Sequence, residues 1–378
     1  MDISKFKAGA NKKQYGYNSF TPTAVNHLWM VSEPKLNHLL SDANRKLGEL
    51  NAFSSLIPDV DFFIKMHIAK EATQSSRIEG TQTTMEEALQ NPDYINPENR
   101  DDWQEVHNYI DAINYSIKQL DKLPLSSRLL RQTHKRLLKG VRGKHKMPGE
   151  FRIAQNWIGG ASLKDASYIP PHHDDVTELM SDLEKFLNND ELHIPHLIRI
   201  GIAHYQFETI HPFLDGNGRL GRLLITLYLV SNKILTKPAL YLSDFFERNR
   251  MLYYDNLAAV RSKNNLIQWL TFFLAGVLET AQSSVETFNR ISKLRDKMEG
   301  QKIIHLGKRT AKGRELLNYL YSKPIVDTAE VAFALSVNIS TAHRLIQDFV
   351  KLKILNEQTG YKRNRIFMFE EYLDLFRK

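Results

Sequence analysis

A glycine-rich segment of twelve residues, HPFLDGNGRLGR at positions 211–222, constrains this sequence most strongly. It follows a stretch with helical spacing, HLIRIGIAHYQFETI, and leads directly into LLITLYLVSNKI, which is apolar on nearly all sides. A helix that is hydrophobic all round is buried. The segment therefore predicts a turn that opens the central helix of a helical protein.

The remainder of the 378-residue chain is also predicted to be mainly α-helical. Apolar residues recur at helical spacing, and glycines such as Gly80 follow the ends of several stretches. The length favours more than one domain. We divide the chain into an irregular N-terminal arm with a flanking helix (residues 1–60), a helical core (61–290) and a C-terminal domain (302–378).

Several classes of protein are disfavoured by composition. The chain has no cysteine, which excludes disulfides and thiolate metal sites. No apolar run is long enough for a transmembrane helix, and the polar start lacks the apolar centre of a signal peptide. We expect a cytoplasmic protein that does not associate with membranes.

One region of the core departs from the helical pattern. Residues 151–176 contain two β-prone stretches, RIAQNWI and SYIPP, around a Gly-Gly pair and a polar middle. This pattern predicts a β-hairpin at 157–171 that projects from the helical body. Its unpaired edge offers backbone groups with which an extended segment of a partner could pair.

The C-terminal domain carries 14 Lys and Arg against 8 Asp and Glu from Lys302 onward. Three short helices followed by a basic hairpin predict a winged helix-turn-helix. The residues that would open its recognition helix are Ser340, Thr341, His343 and Arg344, and those at the hairpin tip are Lys362, Arg363 and Arg365. The basic charge favours an acidic partner such as DNA, although this shape also occurs in protein-binding modules.

The glycines at 216–221, GNGRLG, match a pattern found in dinucleotide-binding folds. That fold needs a hydrophobic strand immediately before the glycines, whereas a helix and HPFLD precede them here. The Walker A pattern is absent as well. The remaining interpretation is a glycine-rich helix N-terminus, whose free N–H groups and dipole favour an anion.

Four side chains of the segment suit phosphate chemistry. Arg219 and Arg222 are three apart and point to a similar side of a helix, and the arginine fork matches phosphate oxygens. Asp215 could hold Mg²⁺ bridging those phosphates. His211 could take a proton from an attacking hydroxyl, because histidine titrates near neutrality. The alternative is a capped helix with solvated arginines.

At every fixed position the segment resembles the Fic-domain signature H-P-F-x-D-G-N-G-R-x-x-R. This signature is long and specific, and the resemblance covers roughly residues 60–285. It implies a helical Fic core in which the hairpin at 157–171 is a flap that docks the target segment. Most Fic proteins are adenylyltransferases, which transfer AMP from ATP to a Ser, Thr or Tyr hydroxyl of a target protein and release pyrophosphate.

The resemblance also implies a role for each matching residue. His211 would be the general base, Asp215 would bind Mg²⁺, and Asn217 with the adjacent backbone would hold the α-phosphate. Arg219 and Arg222 would grip the β- and γ-phosphates. The other residues assigned to the nucleotide are Gly216, Gly218, Leu220 and Gly221 of the segment and, from ERNRMLYYDNL, Asn249, Tyr253 and Tyr254. Tyr254 is the preferred residue at the adenine; for either tyrosine, core packing is the alternative.

An upstream pattern, SSRIEG at 75–80, resembles the inhibitory motif [S/T]-x-x-x-E-[G/N] of Fic proteins. In that family the glutamate reaches the second arginine of the signature and displaces the γ-phosphate. Here the resemblance places Glu79 against Arg222, on an inhibitory helix at about 63–80. A carboxylate bound to the guanidinium occupies the paired N–H donors that the γ-phosphate of ATP needs.

Two other functions stay open at this point. Some Fic proteins use the inhibitory glutamate to remove AMP, which would make Glu79 a catalytic base. Alternatively, the chain is a DNA-bound regulator that acts through residues 302–378. Self-modification and oligomer formation are further hypotheses, and the sequence identifies neither the target protein nor the base of the nucleotide.

Overall fold

The computed structural model describes residues 1–56, 60–360 and 365–377 and is mainly helical, as predicted. The helices up to residue 297 are α1 (Pro34–Leu56), α2 (Val60–Ile78), α3 (Met85–Leu89), α4 (Arg100–Leu120), α5 (Ser127–Leu137), α6 (Val176–Asn188), α7 (His196–Ile210), α8 (Asn217–Ser231), α9 (Ser243–Arg248), α10 (Arg250–Lys263) and α11 (Leu266–Lys297).

The centre of the core is α8, the helix that the glycine-rich segment opens. Its residues 219–229 are all buried, which agrees with the prediction of a central helix. Helix α7 packs beside it, and α11 packs on α7, where the indole N–H of Trp269 in α11 donates to the carbonyl of Gly201 at 2.8 Å. Each fully buried Leu or Phe in such a core contributes roughly 1.5–3 kcal/mol.

The N-terminal arm is a β-hairpin, so the prediction of an irregular arm was wrong. Strands β1 (Gly9–Lys13) and β2 (Asn18–Pro22) pair in antiparallel register. The backbone N–H of Phe20 then donates to the carbonyl of Ile169 at 2.9 Å, which places this hairpin beside the predicted flap. The β1 stretch GANKK lacks alternating hydrophobicity, so it gives no strand signal.

The predicted hairpin at 157–171 is present only as a single antiparallel bridge between Ile158 and Tyr168. Local hydrogen bonds account for the difference. The carboxylate of Asp165 accepts from the backbone N–H of Ala161 at 2.9 Å and from the hydroxyl of Ser162. Such side-chain bonds offer the backbone an alternative to a strand ladder.

The C-terminal domain contains the three predicted helices and two predicted strands. Its elements in chain order are α12 (Thr310–Ser322), β3 (Ile325–Asp327), α13 (Thr328–Ala334), α14 (Ile339–Lys351), β4 (Asn356–Glu357), β5 (Ile366–Met368) and α15 (Glu370–Arg377). Sequence analysis missed β3 and α15; the sheet order is β3–β5–β4. Lys362 and Arg363 lie outside the described residues, and DNA contact stays a prediction.

Within residues 1–56, 60–360 and 365–377, no helix combines the length and the apolar character that a crossing of the bilayer requires.

Candidate active site

The candidate active site begins where α7 ends. His211 follows the helix in a left-handed conformation, with φ 51° and ψ 60°, and its backbone N–H donates to the carbonyl of Phe207 at 2.9 Å. Non-glycine residues adopt this conformation uncommonly, and such residues cluster at functional sites. The turn separates the His211 imidazole from the helix and brings the chain to the start of α8.

A buried arginine outside the segment holds this turn. Arg152, only 2% exposed, donates from Nε to the carbonyl of His211 at 3.0 Å and from Nη2 to the carbonyl of Pro171. Burial lowers the pKa of Arg152 to about 10, which leaves the group charged at neutral pH. Sequence analysis missed this residue, because it lies 59 positions from His211 in the β-prone stretch that leads into the predicted flap.

The Asn217 side chain is hydrogen-bonded to the backbone of its own turn. Its Oδ1 accepts from the backbone N–H of Phe213 at 2.8 Å, and its Nδ2 donates to the carbonyl of Phe213 at 2.8 Å. Sequence analysis assigned Asn217 to the α-phosphate, but in this conformation its amide is bound to the loop. The N–H groups in the first turn of α8, which lack partners within the helix, stay suited to an anion.

Asp215 lies on the solvent side of the turn. Its side chain is 42% exposed, and its Oδ1 accepts from the backbone N–H of Gly216 at 2.6 Å. The carbonyl of Asp215 lies 2.9 Å from Nε2 of His134, whose ring stacks on Phe213 at 3.8 Å. His134, another residue that sequence analysis missed, therefore fixes the loop that presents the Asp215 carboxylate.

The two arginines of the segment are both buried and both bound to protein groups. Arg222 donates from Nε to the hydroxyl of Ser75 at 2.9 Å and from Nη2 to Glu79 Oε1 at 2.7 Å. Arg219 donates from Nη1 to Glu105 Oε2 at 3.0 Å. Sequence analysis expected the Glu79 contact and missed the Glu105 contact, which joins residues 114 positions apart.

Glu79 lies just beyond the helix that was predicted to carry it. Helix α2 ends at Ile78, and the backbone N–H of Glu79 donates to the carbonyl of Ser76 at 3.0 Å in the turn that follows. Burial favours the neutral carboxyl, but the charge of Arg222 outweighs this and lowers the pKa of Glu79. The pair is therefore ionised at neutral pH.

Replacing Gly218 with alanine is expected to separate Glu79 from Arg222. A Cβ atom at this position would lie 2.2 Å from Glu79 Oε1 and 3.0 Å from Arg222 Nη1. The carboxylate is the movable end of its side chain, so it would shift and the ion pair would break. We expect Gly218→Ala to lower the free energy of unfolding in urea by about 1–3 kcal/mol.

The same substitution in a Glu79→Gly background provides the control. With no carboxylate in the way, alanine should cost less than about 0.5 kcal/mol, because alanine is the better helix former. An equal cost in both backgrounds would show that Gly218 does not make room for Glu79.

The environment of His211 keeps its imidazole in the unprotonated form that a proton acceptor needs. Burial, assisted by the charge of Arg152, lowers the pKa of His211 to about 4, and Glu79 opposes this only in part. The imidazole is therefore neutral at pH 7 and has a lone pair available. Burial raises the pKa of the neighbouring Glu208 to about 7, a perturbed group that the motif patterns do not include.

The three residues assigned to the adenine differ in accessibility. Tyr254 is 42% exposed, whereas Tyr253 is 1% exposed and its hydroxyl lies 2.9 Å from Nε2 of His204 in the core. Asn249 donates from Nδ2 to the carbonyl of Phe245 at 2.9 Å. Tyr254 is thus the accessible tyrosine of the pair. The side chain of Leu220 is likewise fully buried, which leaves only its backbone for a ligand.

Stability is expected to fall as the pH drops from about 6.5 toward 4. Burial lowers the pKa of four histidine rings, to about 3 in His67 and His204 and to about 4 in His134 and His211. Near pH 6.5 the unfolded chain takes up protons on these rings and the folded protein does not. The contribution of these neutral rings to the free energy of unfolding is therefore complete above pH 6.5 and is lost as the pH falls.

Two buried glutamates oppose part of this loss. Burial raises the pKa of Glu71 and of Glu208, so the folded protein holds protons that the unfolded chain has released. Because the buried histidine rings outnumber these glutamates, the unfolded chain still binds more protons than the folded protein, and the net effect is a loss of stability on acidification. Calorimetry at pH 7, 6 and 5 measures it, and a constant melting temperature would contradict the account.

Comparison with known proteins places this geometry in a family. Residues 37–118 match the sequence profile described as Fic/DOC family N-terminal, and residues 124–229 match that described as Fic/DOC family. The chain therefore contains a Fic/DOC N-terminal region and a Fic/DOC region, which together cover just under half of it. The first of these Fic regions contains Glu79, and the second contains the whole of 211–222.

Fic proteins of known name and structure resemble the chain to different extents. A protein adenylyltransferase Fic from Culex quinquefasciatus is 37% identical over 110 residues, which are 29% of this chain and 19% of that protein. One from Drosophila grimshawi is 32% identical over 133 residues, 33% of this chain and 25% of that protein. The matched part of the chain therefore spans a quarter or less of these relatives.

The solved structures extend the likeness to the fold as a whole. A Fic family protein from Desulfovibrio desulfuricans G20 superposes with a TM-score of 0.58 at 20% identity, covering 90% of this chain and 97% of that one. The Fic fold assigned from the sequence is thus confirmed.

Proposed function

We propose that this Fic protein is an adenylyltransferase that moves AMP from ATP to a Ser, Thr or Tyr hydroxyl of a target protein. One observation carries the proposal: three groups suited to phosphate transfer meet at one turn. They are the neutral imidazole of His211, the N-terminus of α8 and the buried guanidinium of Arg222. The names of the insect relatives, which match the chain over 110 and 133 residues, support the same activity.

The transfer exchanges a phosphoanhydride bond of ATP for a phosphoester bond to the target. The hydroxyl oxygen of the target bonds to the α-phosphorus of ATP, and the bond from that phosphorus to the bridging oxygen of the β-phosphate breaks. His211 accepts the hydroxyl proton, while pyrophosphate leaves with the electron pair. N–H groups at the start of α8 balance the charge on the phosphates.

Asp215 suits the role of a Mg²⁺ ligand in this reaction. Its carboxylate is 42% exposed and stands immediately before the anion-binding turn. Mg²⁺ is usually held by one or two carboxylates together with substrate phosphates. An ion held there would neutralise phosphate charge and orient the triphosphate.

The proposed target site is the segment 157–171. Its two limbs meet in the bridge between Ile158 and Tyr168, and Arg152 connects its base to the carbonyl of His211. Trp157 and Ile158 are 40% and 36% exposed, which offers apolar surface to an extended segment of the target. Main-chain pairing there would bring a hydroxyl toward the imidazole.

We further propose that Glu79 inhibits this transfer. Its carboxylate binds the guanidinium of Arg222 at 2.7 Å, and the Ser75 hydroxyl binds the same group. With Nε and Nη2 engaged in this way, the guanidinium cannot offer these two donors to a γ-phosphate. ATP would then bind in an unproductive pose until the glutamate moves away.

The position of the label in ATP tests which group is transferred. The Glu79→Gly variant, supplied with cell lysate as a source of targets, is incubated with ATP labelled at the α- or the γ-phosphate. The proposal predicts labelled protein from α-labelled ATP only. Incorporation from γ-labelled ATP would identify phosphoryl transfer and reject the proposal, whereas release of AMP from modified target by wild type alone would indicate the removal reaction.

A further inference from the structure

The C-terminal domain contacts the chain on both sides of the inhibitory residues 75–80. On the preceding side, the Phe63 ring of α2 meets Tyr321 of α12 edge-on at 5.6 Å and Tyr372 of α15 at 6.4 Å. His67, one turn further along α2, meets the Phe376 ring at 5.3 Å. Phe63, Tyr321, Tyr372 and Phe376 are each at most 2% exposed, so this is a closed apolar contact.

On the following side, two polar contacts hold residues that come after the inhibitory turn. Arg377 of α15 donates from Nε to Glu86 Oε1 of α3 at 2.6 Å. The hydroxyl of Tyr94 donates to Asp327 Oδ2, at the start of α13, at 2.9 Å. One domain thus touches residues 63–67 before the inhibitory turn and residues 86–94 after it.

Helix α2 joins the first of these contacts to the active site. From His67 to Glu79 the chain advances about 18 Å at the rise of an α-helix. Glu71, between them, accepts from the hydroxyls of Tyr109 at 2.9 Å and Ser243 at 2.6 Å, which fixes the middle of α2 to the core. A change at the Phe376 contact would therefore tilt α2 about a held point. Ser75 lies near the far end of this helix, and Glu79 lies just beyond it.

We infer that the C-terminal domain sets the strength of the inhibition, with Phe376, Arg377 and Tyr94 as positioning residues that act on Arg222 through Glu79. The inference rests on the proposed function. A ligand that moves this domain would change adenylyl transfer from a surface remote from the nucleotide. The contacts are built from residues of α12, β3 and α15, so the inhibitory turn depends on parts of the chain more than 200 positions away.

The test measures labelling from α-labelled ATP by full-length variants. Phe376→Ala removes the apolar contact, and Tyr94→Phe removes one hydrogen bond without disturbing the core. We expect Phe376→Ala to raise labelling on the order of five- to tenfold and Tyr94→Phe to raise it by less. The matched controls are Phe333→Ala and Tyr15→Phe, since these residues are 90% and 102% exposed, and both should leave labelling unchanged.

The same substitutions in a Glu79→Gly background show whether Phe376 acts by positioning Glu79 or by changing the labelling rate in some other way. If Phe376 acts through Glu79, Phe376→Ala adds nothing once the glutamate is absent. A rise by the same factor in both backgrounds, or no rise in wild type while Glu79→Gly is active, overturns the inference. A charge exchange provides a rescue: Arg377→Glu should raise labelling, and adding Glu86→Arg should restore the inhibition.

Hydrogen exchange tests independently of activity whether the Phe376 contact stabilises α2. Phe376→Ala should reduce the protection of backbone amides in 68–78, which α2 contributes, and leave α8 protected as in wild type. Unchanged protection of α2 overturns the inference even if no variant is labelled. An inactive Glu79→Gly variant, by contrast, would reject the proposed function, so the two failures are distinguishable.

Discussion

Glu79→Gly is expected to raise the rate of adenylyl transfer on the order of a hundredfold. This factor corresponds to a wild-type protein in which the state with Glu79 bound to Arg222 outweighs the state with Arg222 free by about 99 to 1. The carboxylate binds Arg222 at 2.7 Å, and the arginine side chain is 1% exposed. Glycine removes the carboxylate and frees the guanidinium for a γ-phosphate. Initial rates of labelling at saturating ATP measure the change.

Two substitutions refine this expectation. Glu79→Gln keeps the size of the side chain and removes its charge, so it should release the inhibition only in part. Ser75→Ala removes the hydroxyl that accepts from Arg222 Nε at 2.9 Å and should give a smaller rise. A wild-type rate equal to that of Glu79→Gly would show that the ion pair does not limit the reaction.

His211→Ala, made in the active Glu79→Gly background, is expected to lower the rate by about 10²–10⁴-fold, the usual contribution of a positioned general base. The imidazole is neutral at pH 7, because burial lowers the pKa of His211 to about 4. Alanine removes the proton acceptor and leaves the N–H groups at the start of α8 in place. The loss should therefore fall on kcat, with a smaller effect on the KM for ATP.

A histidine remote from the turn provides the control. The His38 side chain is 82% exposed on α1, so His38→Ala should leave both kinetic constants unchanged. A loss after His211→Ala that appears only in the KM for ATP would assign this residue to nucleotide binding and reject its role as a base.

The active-site turn could be predicted because its information is local. Residues 211–222 contain the left-handed His211, the Asn217 amide that closes the loop, and the glycines of the anion-binding turn. The pairing of Glu79 with Arg222 joins residues 143 positions apart. It could be expected only because a family resemblance related the two motifs.

The contacts that support the turn could not be predicted, because they depend on the tertiary fold. Arg152 and Glu105 bind the segment from distant stretches whose sequence carries no motif. The β1–β2 hairpin was missed for a different reason. Its strands are short, the β1 stretch GANKK is mostly polar, and a backbone hydrogen bond from Phe20 to Ile169 holds the hairpin in place.

The most direct test of the central claim is one time course of labelling from α-labelled ATP with Mg²⁺, for wild type, Glu79→Gly and Glu79→Gly with His211→Ala. The account predicts strong labelling by the single variant, weak labelling by wild type and almost none by the double variant. Equal labelling by the single and double variants, or none by any of them in the presence of cell lysate, would contradict a transferase restrained by Glu79 and driven by His211.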